Sequence, residues 1–236
     1  KVILRADQIL KGDMVYFCNQ AFNFGENPDW FFNPYNKRYY KNHKLHWLKL
    51  KDFDKEFGDI KVIWELSRFN WLGTLACAYK ITLDMKYLNK INSLFSNWVE
   101  KNPLNRGPNW KCGQETSIRT INLIISIELL GHENISKNCI KLLRFHLERI
   151  NLTVFYAKAQ NNNHIISEST ALYLVGYFLW INTQEKKYYK IYIKASKLIE
   201  NSLKKLVMDD GTFAQYSTVY HRMVLDLCSV LELLRS

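Results

Sequence analysis

Two short stretches concentrate groups that can hold or move protons. In "NNNHIISEST" (161–170), Asn161, Asn162, Asn163 and His164 stand directly ahead of the apolar run "ALYLVGYFLWI". A helix start needs one capping side chain, so capping explains one asparagine well and the rest poorly. "DDGTFAQYSTVYHRMVLDL" (209–227) sets Tyr220, His221 and Arg222 in succession at the start of a last helix. Amide, imidazole, phenol and guanidinium together supply a neutral donor, two proton-transfer groups and an anion holder. A core tyrosine with a satisfied hydroxyl is the usual explanation for Tyr220, because Val224, Leu227 and Leu231 follow at +4, +7 and +11 and turn its ring inward.

A third group is divided between "WELSR" (64–68) and "GPNWKCGQETSIRTIN" (107–122). Glu65 and Arg68 are spaced i,i+3 and can pair on a helix surface. Arg119, Asn122 and Ser126 form a polar stripe opposite Ile118, Ile121 and Ile125, as a solvated face would. Trp110, beside Gly107 and Pro108, reads as an exposed loop tryptophan that could stack on a ligand.

These groups need elements to position them. Residues 1–59 read as an irregular segment lying across the rest, with Gly25, Pro28 and Pro34 breaking the aromatic stretch "FGENPDWFFNPYNKRYY". From residue 60 the apolar spacing is helical. Trp64, Arg68, Trp71 and Leu75 share one stripe. Residues 85–100 repeat the pattern with Leu88, Ile91, Phe95 and Trp98. Further helices are expected around Ile118–Leu129, over 134–149, from "NNNH" to about 182, over 186–207, and through Val224–Leu234. About seven helices with short links pack as antiparallel hairpins in a ring or solenoid. The expected organisation is an all-α domain over 60–236 with the segment 1–59 packed on it. No repeat of fixed period appears, which disfavours a tetratricopeptide or ankyrin array.

Composition narrows the function classes. The chain has 236 residues, 14% aromatic content and a formal net charge of +11. Such a charge favours a polyanion: nucleic acid, an anionic membrane surface or an acidic polysaccharide. Five scattered cysteines form no CxxC pair, so buried free thiols are expected rather than a zinc ribbon or redox pair. No HExxH or paired Cys/His spacing predicts a metal, and no glycine-rich phosphate loop predicts a nucleotide. No cofactor is expected. No apolar run is long enough to span a membrane.

Four stretches in this order, "WELSR", "NWVEKNPLNRGPNWKCGQETSIRTIN", "NNNHIISESTALYLVGYF" and "DDGTFAQYSTVYHRMVLDL", resemble the helical domain of heparinase II/III-like polysaccharide lyases, a group that includes some alginate lyases. The resemblance covers roughly residues 28–236. It implies an incomplete α/α toroid followed in the family by a β-sandwich domain, and cleavage of a uronic-acid-containing polysaccharide by β-elimination. It places the neutral carboxylate clamp on Asn163 and the proton-transferring tyrosine on Tyr220, with His164 assisting. Trp110, Arg119, Arg222, His221, Glu65 and Arg68 are the expected substrate-binding residues. Two departures stand out. Many relatives carry Glu near the position of Gln215, and the sequence ends at Ser236 before any β-sandwich. The expectation is therefore a fragment with weak or no activity alone, completed by that domain and acting in the periplasm or outside the cell on an acidic polysaccharide, with no nucleic-acid partner.

Two other classes fit parts of the pattern. A non-catalytic helical module for anionic glycan or nucleic acid would suit the charge and the aromatics. An inverting glycoside hydrolase would need a facing carboxylate pair, and the spacing of Glu65, Glu115, Glu168 and Asp210 pairs none of them.

Overall fold

A computed structural model describes residues 1–131, 134 and 137–234. They gather into two compact units, one of residues 1–115 and 122–142, the other of 116–121 and 143–236.

The first unit begins with helix α1 (Val2–Leu10) and three antiparallel hairpins: β1 (Asp13–Tyr16) with β2 (Gln20–Asn23), β3 (Phe32–Asn33) with β4 (Arg38–Tyr39), and β5 (Phe53–Asp54) with β6 (Gly58–Asp59). The stretch read as irregular is therefore a helix and a series of tight turns. Strands of two to four residues are too short to be read from the sequence, although β1 alternates half-buried and buried residues once folded. The β1–β2 turn passes through Phe17 and Cys18 in the left-handed region, and the other two are made by Asx chemistry: Asn33 Oδ1 accepts from the Tyr35 N–H at 3.0 Å, and Asp54 Oδ1 from those of Glu56 and Phe57 at 2.9 Å. Gly12 has φ +90°, and a Cβ there would lie 2.3 Å from the Gly25 carbonyl oxygen. Only glycine lets the chain pass so close.

The single helix expected from residue 60 is two: α2 (Lys61–Ser67) and α3 (Asn70–Thr82). Phe69 separates them in the left-handed region at φ +64°. Such a conformation costs a non-glycine residue about 1–3 kcal/mol. It is held here by packing, for the Phe69 ring is fully buried among Trp71, Phe95 and Trp98. Asp84 then caps α4 (Met85–Lys101), its carboxylate accepting from the Lys86 N–H at 3.0 Å. Trp98 on α4 donates its indole N–H to Ser67 Oγ at 3.0 Å and so ties α4 to α2. Helix α5 (Gly113–Leu130) follows.

The second unit is helical throughout its longer part: α6 (Lys137–Gln160, which enters it at Leu143), α7 (Asn163–Thr183), α8 (Lys186–Leu206) and α9 (Thr218–Leu233). Almost every residue of α7 from Asn163 to Leu179 is buried. That is what an apolar helix without a polar face requires. Helix α8 instead turns Tyr188, Ala195, Ile199 and Leu206 inward and its lysines outward. Helices α7 and α8 form the hairpin predicted from their short link. Gly176 sets how closely they approach, since a Cβ there would meet the Tyr192 backbone nitrogen at 3.0 Å and the Tyr188 carbonyl oxygen at 3.3 Å. Replacing Gly176 with leucine overpacks a backbone-to-backbone contact and lowers stability by about 1–3 kcal/mol. Thermal unfolding measures this. An unchanged Tm would show that the hairpin separates without cost.

Among the described residues, no helix is long and apolar enough to cross a membrane.

Candidate functional site

The start of α7 and the segment leading into α9 are joined in the second unit. Asn161 turns the chain with φ +52°. Asn162 is the cap, its side chain accepting from the His164 N–H at 2.9 Å. Asn163 is the first helical residue and is buried, with 3% of its surface exposed. Its backbone N–H donates to Gln215 Oε1 at 2.8 Å across 52 positions of sequence. Its side-chain amide has no hydrogen-bond partner among the described residues. The three asparagines thus divide the work: Asn161 turns, Asn162 caps, and Asn163 keeps a carboxamide that the fold does not use.

Gln215 brings the α9 segment to this point. A turn at Asp209–Gly211, closed by Asp210 Oδ1 accepting from the Thr212 N–H at 2.9 Å, reverses the chain after α8. The Ala214 N–H then donates to the Leu206 carbonyl at 2.8 Å. Ser217 caps α9, and Tyr220 falls in its first turn. Tyr220 lies five residues beyond Gln215, a contour of at most about 18 Å. Its ring is not inward as the periodicity suggested. It is 40% exposed, and the buried stripe of α9 consists of Val224 and Leu227. The helix phase is as expected, but Tyr220 sits in the first turn, where the described residues cover that face only in part. His221 is half-buried and Arg222 exposed beside it.

His164 is partly exposed, with Nδ1 3.8 Å from Glu168 Oε1 one turn along α7. Burial pushes the Glu168 carboxyl above the usual carboxylate range, while His164 and Arg149 pull it the other way. Glu168 appeared in the sequence only as an unpaired carboxylate. Its i,i+4 spacing to His164 was the signal that could have found it. Arg119 is buried rather than part of a solvated stripe, and Ser126 is buried too, because α5 is covered on most sides. The buried His146 imidazole, 3.0 Å through Nδ1 from the Thr120 hydroxyl, is held well below the ordinary histidine pKa by desolvation and by the charge of Arg119.

The remaining candidates belong to the first unit. Trp110 is fully buried in a short 3-10 turn (Pro108–Trp110), donating its indole N–H to the Asn102 carbonyl at 3.1 Å. The expectation of an exposed stacking platform is corrected: the glycine and proline before it fold the turn inward against Trp98. Glu65 and Arg68 are not a surface pair. Arg68 Nη1 donates to Glu65 Oε2 at 2.6 Å, and its Nε and Nη2 donate to the two Glu115 oxygens at 2.7 and 2.8 Å. Glu65 Oε1 also accepts from the Phe17 N–H at 3.1 Å. These three charges hold α2, α5 and the β1–β2 turn together. Among the described residues, no three metal-ligating side chains gather at one point.

Comparison with known proteins gives a consistent result. The family model described as heparinase II/III N-terminus matches residues 6–236. A heparin-sulfate lyase from Bacteroides thetaiotaomicron is 24% identical over 172 residues, covering 66% of this chain and 23% of the relative. Among solved structures, a heparinase III with methylated lysines superposes with TM-score 0.68 at 17% identity, over 98% of this chain and 35% of that one. The heparan sulfate lyase HepC from Pedobacter heparinus gives 0.65 at 21% identity, over 96% and 32%. The chain thus spans about a third of the length of these solved relatives, and less of the curated one. Sequence and fold together show that this chain belongs to the heparinase II/III N-terminal family.

Proposed function

We propose that this chain is the helical part of a polysaccharide lyase that cleaves a uronic-acid-containing anionic polysaccharide by β-elimination. In this reaction a base removes the C5 proton, the electron pair forms the C4–C5 double bond, and the C4–O bond breaks as its oxygen takes a proton. The ionised uronate carboxylate resists carbanion formation at C5. A neutral donor on it spreads the developing charge, as an oxyanion hole does. Asn163 has that role, because an amide donates without titrating. Tyr220 transfers protons as base and acid, and His164 assists at the carboxylate or as base. Arg222 and His221 bear on the anionic sugar from the α9 start. A β-sandwich domain completes the site, and the protein acts in the periplasm or outside the cell.

The observation that supports this reading is the tie between Asn163 and Gln215. It fixes a buried, unengaged carboxamide beside the segment that carries an exposed tyrosine. The net charge of +11 suits a polyanionic substrate. The test is a panel of uronate polysaccharides, heparan-type and alginate-type, incubated with the complete protein and followed by ultraviolet absorbance. Elimination leaves an absorbing unsaturated uronate. Binding without such a product would favour a non-catalytic glycan module. Cleavage without absorbance would mean hydrolysis.

A further inference from the structure

One buried group close to His164 takes no part in the chemistry above. Glu168 lies one turn beyond His164 on α7 and is 4% exposed. Its Oε1 is 3.8 Å from His164 Nδ1, while Oε2 is enclosed with no hydrogen-bond partner among the described residues. Burying a carboxyl with an unmet oxygen is unfavourable, because the oxygen gives up its water without a replacement partner. A side chain kept only for packing would avoid that cost, since leucine or methionine fills similar space. The His164 ring one turn back on the same helix faces Glu168 as its ionisable partner, and Arg149 on α6 adds positive charge from a second element.

We propose that Glu168 is a positioning residue for His164. Its carboxyl oxygen accepts the Nδ1–H, so that Nε2 is the unprotonated nitrogen of the neutral ring and the ring is held in one orientation. Hydrogen bonding at one imidazole nitrogen selects the tautomer at the other. The present 3.8 Å exceeds hydrogen-bond length, and the bond requires the two side chains to approach by less than about 1 Å. Contacts of this kind commonly tighten when substrate binds. The functional half of the proposal rests on the lyase reading; the pairing does not.

Two measurements on the complete protein separate these halves. With isotopically labelled histidine, the His164 ring nitrogens are assigned by their loss in His164→Gln. At a pH where the imidazole is neutral, the wild type shows the Nδ1–H form in excess. Glu168→Leu abolishes that excess, and Glu168→Gln, which keeps an acceptor oxygen, retains it. An even tautomer mixture in the wild type, or an excess that survives Glu168→Leu, overturns the proposal. In the lyase assay, Glu168→Leu lowers kcat with little change in KM, by less than the ~10²–10⁴-fold that a proton-transferring group itself contributes. Glu168→Gln recovers most of the loss, and neither variant lowers activity further when His164 is already replaced. Additive losses would make Glu168 a structural residue instead. If no polysaccharide is cleaved while the tautomer result holds, the lyase reading falls and the pairing stands.

Discussion

Tyr220→Phe in the complete protein lowers turnover of its polysaccharide by about 10²–10⁴-fold, the usual contribution of a proton-transferring side chain, and spares binding and stability. The stability part follows from the surroundings of Tyr220. The ring is 40% exposed, its hydroxyl has no hydrogen-bond partner among the described residues, and the buried stripe of α9 lies on Val224 and Leu227. Removing one oxygen there leaves no buried group unsatisfied, so folding stability changes by no more than about 0.5 kcal/mol. A variant that melts like the wild type, binds the polysaccharide and makes no absorbing product locates the defect in the chemical step. Unchanged turnover would remove Tyr220 from the mechanism.

The second large effect concerns stability. Arg68→Ala leaves Glu65 and Glu115 as two buried carboxylates without their shared cation. Breaking a buried ion pair from one side costs about 3–5 kcal/mol, and the low end applies because the Arg68 side chain is 26% exposed. The loss is read from denaturant unfolding. Replacing all three residues with apolar side chains of similar volume recovers most of it, since the penalty lies in the stranded charges. A drop of under about 0.5 kcal/mol for Arg68→Ala, the range of an ordinary surface substitution, would show that water reaches the triad.

The sequence made much of this fold legible, and the reasons are local. Helices α4, α7 and α8 lie within a residue or so of their expected limits, because their apolar spacing is regular and their links are short. The break at Phe69 was hidden, since a left-handed aromatic residue has no local signature and its packing draws on Phe95 and Trp98, some thirty positions away. The hairpins before residue 60 were hidden because their strands are too short to be read from the sequence. In the site, the division of roles among Asn161, Asn162 and Asn163 could be posed from sequence but not answered, because Gln215 lies 52 positions away. Trp110 and Arg119 show the opposite failure. A tryptophan in a glycine–proline turn and an arginine in a polar stripe look exposed until the neighbouring helices cover them.

The start of α7 has a consequence for how the protein could be redesigned. Helix starts commonly hold anions through free backbone donors. Here the first three are already engaged: the Asn163 N–H by Gln215, the His164 N–H by the Asn162 side chain, and the Ile165 N–H by the Asn162 carbonyl. The backbone therefore has little left with which to greet a carboxylate or a sulfate. Under the proposed mechanism, discrimination between acidic groups at this point therefore falls to the side chains of Asn163, His164, His221 and Arg222, and a library aimed at selectivity would vary the binding residues His221 and Arg222 and leave the clamp at 163 in place.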